Sequence, residues 1–172
     1  MDEKNKEVLH LLCSSMKLER DKGVVELEKL LPILNLSDRH SLQKCLLNLL
    51  SDSESSWGTK QGCLLGAKSL ISYLNLDEDS DCNFIINIKE ISQKLLTDIE
   101  VRVRLAAGEV LGSLCKKIGT NIYHEMKENI LKLIESNLDR NIAEDDSSRL
   151  EQFETEKLME KLVGGPSSER VS

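Results

Sequence analysis

The chain has 172 residues, 40% hydrophobic and 31% charged, which is enough apolar side chain to bury a core and excludes a disordered polypeptide. Aromatic residues make up only 3% and there are two prolines, a composition that favours helices packed through aliphatic side chains over a loop-rich β-sandwich. The net charge is −7, and the basic runs are no longer than pairs such as Lys116-Lys117, so the basic stripe of a nucleic-acid binder is missing.

The N-terminal residues MDEKNKEV are charged, and Val8, Leu9, Leu11, Leu12 and Met16 then recur at helical spacing, predicting a first helix near 4–16. A second starts at Asp21, with Val24, Leu27, Leu30, Leu31 and Leu34 on one face, and Pro32 bends or ends it. Ser37 or Asp38 caps a third, carrying Leu42, Cys45, Leu46, Leu49 and Leu50. After the polar turn from Ser51 to Ser56, a fourth runs from Trp57 to Leu74. The acidic stretch Asp77 to Asp81 then reads as a solvated loop.

A fifth helix spans about Asn83 to Leu96, with Phe84, Ile85, Ile88, Ile91 and Leu95 inward. A sixth runs from about Glu100 to Lys117 and stops at Gly119. A seventh covers about Thr120 to Leu138. An eighth, from Arg149 to Val163, has a capping box of Ser148 and Glu151 and a stripe of Leu150, Phe153, Leu158 and Leu162. Residues 164–172 read as a disordered tail.

The eight helices contain a repeat. Leu49-Leu50-Ser51-Asp52 aligns with Leu95-Leu96-Thr97-Asp98 at an offset of 46. The same offset places Gly62 on Gly108 and Gly66 on Gly112, so that two helices carry glycines four apart on one face. A weaker echo, Lys22-Gly23-Val24-Val25 against Gln61-Gly62-Cys63-Leu64, lies at an offset of 39. Periods of this size belong to stacked helical hairpins.

The segment Leu95 to Gly119 resembles a HEAT repeat. Asp98 stands in the turn, Val103-Arg104 in the first turn of the following helix and the small Ala107 three positions on, with Leu111, Gly112 and Leu114 continuing the pattern. The resemblance implies that Asp98 and Arg104 belong to a polar ladder tying neighbouring repeats together. The earlier copy keeps Asp52 but has Trp57-Gly58 at the Val-Arg positions, with Lys60 as a substitute cation. One good repeat, one partial and two degenerate units cover about Asn5 to Val163. The expected fold is all-α, a short right-handed α-solenoid of about four stacked antiparallel helix pairs of the HEAT/armadillo kind. Residues 1–140 form the repeats and 141–163 an acidic amphipathic C-terminal helix that caps them.

Catalytic signatures are not found in the sequence. The glycine pairs do not continue into Gly-Lys-Ser/Thr, so they are not a phosphate loop. His10, His40 and His124 are far apart, and Cys13, Cys45, Cys63, Cys82 and Cys115 contain no CxxC. Cys45, Cys63 and Cys115 fit as small core hydrophobes. Asp77 to Asp81 lacks the glycine and the terminal glutamate of a calcium loop. No secretory signal or apolar span is seen, so free thiols in the cytoplasm or nucleus are expected.

The expected function is a non-catalytic protein–protein interaction scaffold or adaptor without cofactor, metal or small-molecule substrate, either whole or the N-terminal part of a longer solenoid. Its groove is formed by the second helix of each pair, with Lys22, Glu26, Lys60, Lys68, Arg102 and Glu109 facing a protein partner. The alternative is a helical-bundle regulatory subunit of a larger complex, an assembly factor. Nucleic-acid binding through groove lysines ranks below both.

Overall fold

The structure is a computed structural model that describes residues 2–119, 127–128, 131–132, 134–136, 157–159 and 162. Among these residues it is all-helical, with no strand. Helix α1 spans Glu3–Leu12, α2 Lys17–Leu30, α3 Leu36–Ser51, α4 Trp57–Ile71, α5 Asp79–Leu95 and α6 Val101–Ile118.

Two starts differ from the sequence reading. Helix α2 begins at Lys17 rather than Asp21, because Ser14 Oγ accepts from Met16 N–H (3.1 Å) and turns the chain early. Helix α5 begins at Asp79, so the last three residues of the acidic run, Asp79 to Asp81, lie in its first turn and not in a loop. Asn35, not Ser37 or Asp38, caps α3, accepting from Asp38 N–H at 2.8 Å. Pro32 converts the end of α2 into a 3-10 turn over Leu31–Ile33. Gly119, at φ +93°, ends α6 where a side chain would be strained, and its N–H returns to the carbonyl of Cys115 at 2.9 Å.

Packing orders the helices into two rows. Helix α4 lies between α2 and α6, while α3 packs on α4 and α5, and α5 on α6. Helix α1 covers α2 and the adjoining part of α4. The apolar faces meet in one core that runs from Val8 and Leu12 through Leu46, Leu64, Leu70 and Ile88 to Leu111 and Leu114. Each fully buried leucine or isoleucine stabilises such a core by about 1.5–3 kcal/mol relative to exposure.

The described residues between 127 and 136 and between 157 and 162 are helical. Leu158, Met159 and Leu162 are buried, and the Leu158 side chain fills the space above Gly108 on α6. The predicted capping box of Ser148 and Glu151, Leu150, Phe153, His124 and the tail 164–172 lie outside the described residues, as does most of the predicted cap 141–163.

Candidate interaction face

The turns before α2, α4 and α6 are built alike. Ser14 Oγ, Asp52 Oδ1 and Asp98 Oδ1 each accept from the backbone N–H two residues on, in Met16, Glu54 and Glu100, at 3.1, 2.9 and 2.9 Å. Helices α2 and α6 start three residues after that side chain, and α4 starts five after it. The helices therefore align by their starts, at Lys17, Trp57 and Val101, and not at the single offset of 46 that fits the turns. In that register Arg20, Lys60 and Arg104 are equivalent. So are Gly23, Cys63 and Ala107, then Leu27, Ala67 and Leu111, then Leu30, Leu70 and Leu114, and all nine of these are buried.

In this alignment it is Lys60, not Arg104, whose side chain pairs with that of Asp98. Lys60 Nζ reaches Asp98 Oδ2 at 3.3 Å across the α4–α6 contact. Arg104 meets Asp98 through the backbone instead, donating from Nη1 to the carbonyls of Asp98 (2.7 Å) and Ile99 (3.2 Å). Arg20 repeats that geometry on the carbonyls of Ser14 and Ser15, both at 2.9 Å, and its Nε donates to Gln61 Oε1 at 3.1 Å. The two arginines are 2% and 6% exposed. Carbonyl dipoles supply the compensation that a buried cation needs. Arg20 carries no sequence signal, because a charged residue flanked by Glu19 and Asp21 reads as a solvated face.

Trp57 stands between the two ends of this row. Its ring has the Arg20 guanidinium at 4.8 Å and that of Arg102 at 3.7 Å, one a helix before it and one a helix after. It is half-buried, intermediate between the core anchor and the exposed contact that its position allows. Arg102 also pairs with Glu100 at 2.7 Å, and the guanidinium hydrogen bond holds the Glu100 carboxyl below the usual carboxylate range. Ile99 beside it is 96% exposed, and Leu18 and Met16 are exposed on the equivalent turn of the first hairpin.

The six residues expected on the groove divide between two tasks. Lys60 is turned towards Asp98, and Arg102 is held by Glu100 and Trp57. Lys68 of α4 pairs with Glu109 of α6 at 3.7 Å, and Glu26 pairs with Lys29 on its own helix at 3.4 Å. Lys22 is exposed. A shallow depression runs between Asp21, Val24 and Glu28 of α2 and Leu65, Lys68 and Ser69 of α4, reaching Ser113 of α6. Within it Ser69 Oγ donates to Glu28 Oε1 at 3.1 Å. No family model, curated protein or solved structure matches the chain.

The opposite row carries a different polar cluster. Asp81, at the start of α5, is fully buried. Its carboxylate takes Arg39 Nη2 (3.1 Å), Gln43 Nε2 (2.7 Å) and the Asn75 backbone N–H (2.8 Å), with His40 Nε2 at 3.7 Å. The acidic stretch is therefore not solvated throughout, because its last member fastens α5 to α3. A groove opens beside it, between Ser37 to Lys44 of α3 and Asn83 to Asn87 of α5. Among the described residues no group of three or more His, Cys, Asp or Glu side chains is arranged to hold a metal ion. Among the same residues no helix is long and apolar enough to cross a membrane.

Proposed function

We propose that this chain is a short HEAT/armadillo-like α-solenoid that serves as a non-catalytic protein-interaction scaffold, with a protein partner on the α2–α4–α6 face. The observation that carries this reading is the repeated unit along that row, a turn acceptor followed at the fourth helix position by a cation, buried at Arg20 and Arg104 and partly exposed at Lys60. Arg20–Gln61 ties α2 to α4 and Lys60–Asp98 ties α4 to α6, which holds one surface of each helix side by side, and such a row gives an extended recognition surface rather than a pocket. Its outer side chains, Lys22, Glu26, Lys68 and Glu109, alternate in sign and suit a partner with charges of both signs.

The test compares proximity labelling in cells by three versions of the full chain: wild type, Lys22→Glu/Lys68→Glu, and a control with Lys44→Glu on α3. The reading expects a set of labelled proteins lost with the double variant and kept with the control. Loss with the control alone would move the contact surface to the α3–α5 row. An identical set for all three would remove the charged face from the function.

A further inference from the structure

Three of the five free cysteines gather where α1 ends against α4. A side-chain carbon at Gly62 would collide with the carbonyl oxygen and carbon of Leu12, so the two backbones touch there. The next residue on each strand of this crossing is a cysteine, Cys13 on one and Cys63 on the other. Their thiols are close enough to shift each other's proton affinity. Cys13 is half-buried just past the end of α1, and Cys63 is fully buried in α4. Thr59, one helical turn before Cys63, lies against the Cys13 sulfur and also donates to its backbone carbonyl at 3.3 Å. Cys45 of α3 is close enough to Cys63 to be felt electrostatically.

We propose that Cys13 and Cys63 are a hydroperoxide-sensitive thiol pair, with Cys13 the attacking sulfur and Cys63 the resolving one, which closes into a disulfide across the α1–α4 crossing.

The surroundings divide the roles. The Cys63 thiol beside it favours the Cys13 thiolate and draws its pKa from 9.0 down to about 7 against the cost of burial. Cys63 is pushed up, first by the Cys13 sulfur beside it, then by burial. In the first step the Cys13 thiolate attacks the outer oxygen of a hydroperoxide. An S–O bond forms, the O–O bond breaks, and the leaving alkoxide or hydroxide takes a proton. Cys13 is now a sulfenic acid and has lost its negative charge, so the main restraint on the Cys63 proton is gone. In the second step Cys63 sulfur attacks Cys13 sulfur, the S–S bond forms, the S–O bond breaks, and hydroxide leaves with the Cys63 proton as water. Two thiols are oxidised by two electrons, the hydroperoxide is reduced to an alcohol or water, and the resolving step releases one water.

The test treats the full chain at pH 7 with hydrogen peroxide and maps its peptides without reduction. A Cys13–Cys63 linked peptide, reversed by dithiothreitol, is expected in wild type. With Cys63→Ala, dimedone should trap Cys13 as sulfenic acid, and with Cys13→Ser peroxide should leave Cys63 unmodified. Iodoacetamide labelling reads the pair without oxidation. Cys13 should react about tenfold faster than Cys115 at pH 7, with a midpoint near 7 that Cys63→Ala moves up towards 9.0. A wild-type chain that stays helical by circular dichroism yet yields no Cys13–Cys63 link would overturn the proposal. So would a link between Cys63 and Cys45 in its place, or a Cys13 midpoint that ignores the loss of Cys63.

Discussion

Lys60 and Asp98 face each other across the contact between α4 and α6, Nζ to Oδ2 at 3.3 Å, and both side chains are mostly withdrawn from water. Asp98 has a second duty, since its other oxygen accepts from Glu100 N–H and shapes the turn that launches α6. The two duties separate by mutation. Lys60→Met removes the ion pair alone and is expected to cost about 0.5–1.5 kcal/mol. Asp98→Ala removes pair and turn together and should cost more, about 1–3 kcal/mol. Asp98→Asn keeps the turn acceptor and should fall between them. Urea unfolding of Lys60→Met, Asp98→Ala and their double variant gives the coupling, and strictly additive losses would show that the pair contributes nothing of its own.

Arg20 and Arg104 perform one task at two places, each gathering the two carbonyls of the turn before its helix. At Arg20 one nitrogen, Nη1, meets both carbonyls while Nε reaches Gln61, and a lysine's single ammonium cannot serve both places. Arg20→Lys is therefore expected to destabilise nearly as much as Arg20→Met, both by about 1–3 kcal/mol. Arg20 also lies over the ring of Trp57, the only tryptophan in the chain, so Trp57 emission should change with either variant. Full stability for Arg20→Lys in urea would mean that charge alone matters at this site.

The same comparison shows what the sequence discloses. The aspartate at 98, the arginine six residues later and the stop at Gly119 are local signals, and local chemistry produces them in any helical hairpin of this kind. The equivalence of Arg20, Lys60 and Arg104 is not local. It depends on a link after Asp52 that is two residues longer than the link after Asp98, and turn residues of similar polarity hide such an insertion. Trp57-Gly58 thus aligns with Val103-Arg104 when the turns are matched, although Lys60 occupies the position in space.

Asp81 is the clearest case of a residue whose role is set by the tertiary structure. Within Asp77-Glu78-Asp79-Ser80-Asp81 nothing distinguishes it, yet it is the one carboxylate of the run that is fully buried. Removing it leaves Arg39 and Gln43 facing a vacated polar site. Asp81→Ala is expected to cost about 3–5 kcal/mol, as breaking a buried ion pair does, whereas Asp77→Ala and Asp79→Ala should stay within about 0.5 kcal/mol. The pair Asp81→Leu/Arg39→Met, which removes both charges, should recover part of the loss. Thermal unfolding of the four variants measures this order, and equal melting temperatures for Asp79→Ala and Asp81→Ala would contradict it.

The helical glycines divide in the same way, although in sequence they form two matching pairs. Along α4, Gly62 lies against the backbone of Leu12 and Gly66 against its side chain, so α1 closes onto α4 only because both lack a side chain. Along α6, Gly108 lies beneath Leu158, while at Gly112 no described atom comes within 4 Å of where a side-chain carbon would sit. The helix-start alignment explains the difference. Gly62 and Gly66 are the sixth and tenth residues of α4, while Gly108 and Gly112 are the eighth and twelfth of α6, so the pairs point to different neighbours. Gly62→Ala must move backbone and should cost about 1–3 kcal/mol or more through overpacking. Gly108→Ala meets a leucine side chain that has rotamers to use, so it should cost less. Gly112→Ala meets nothing described, and the helix propensity gain of up to about 1 kcal/mol then decides the sign in favour of stabilisation. Differential scanning calorimetry of the three alanine variants checks the order. A melting temperature lowered by Gly112→Ala as much as by Gly62→Ala would show that both pairs are buried between units, as the sequence offset alone implies.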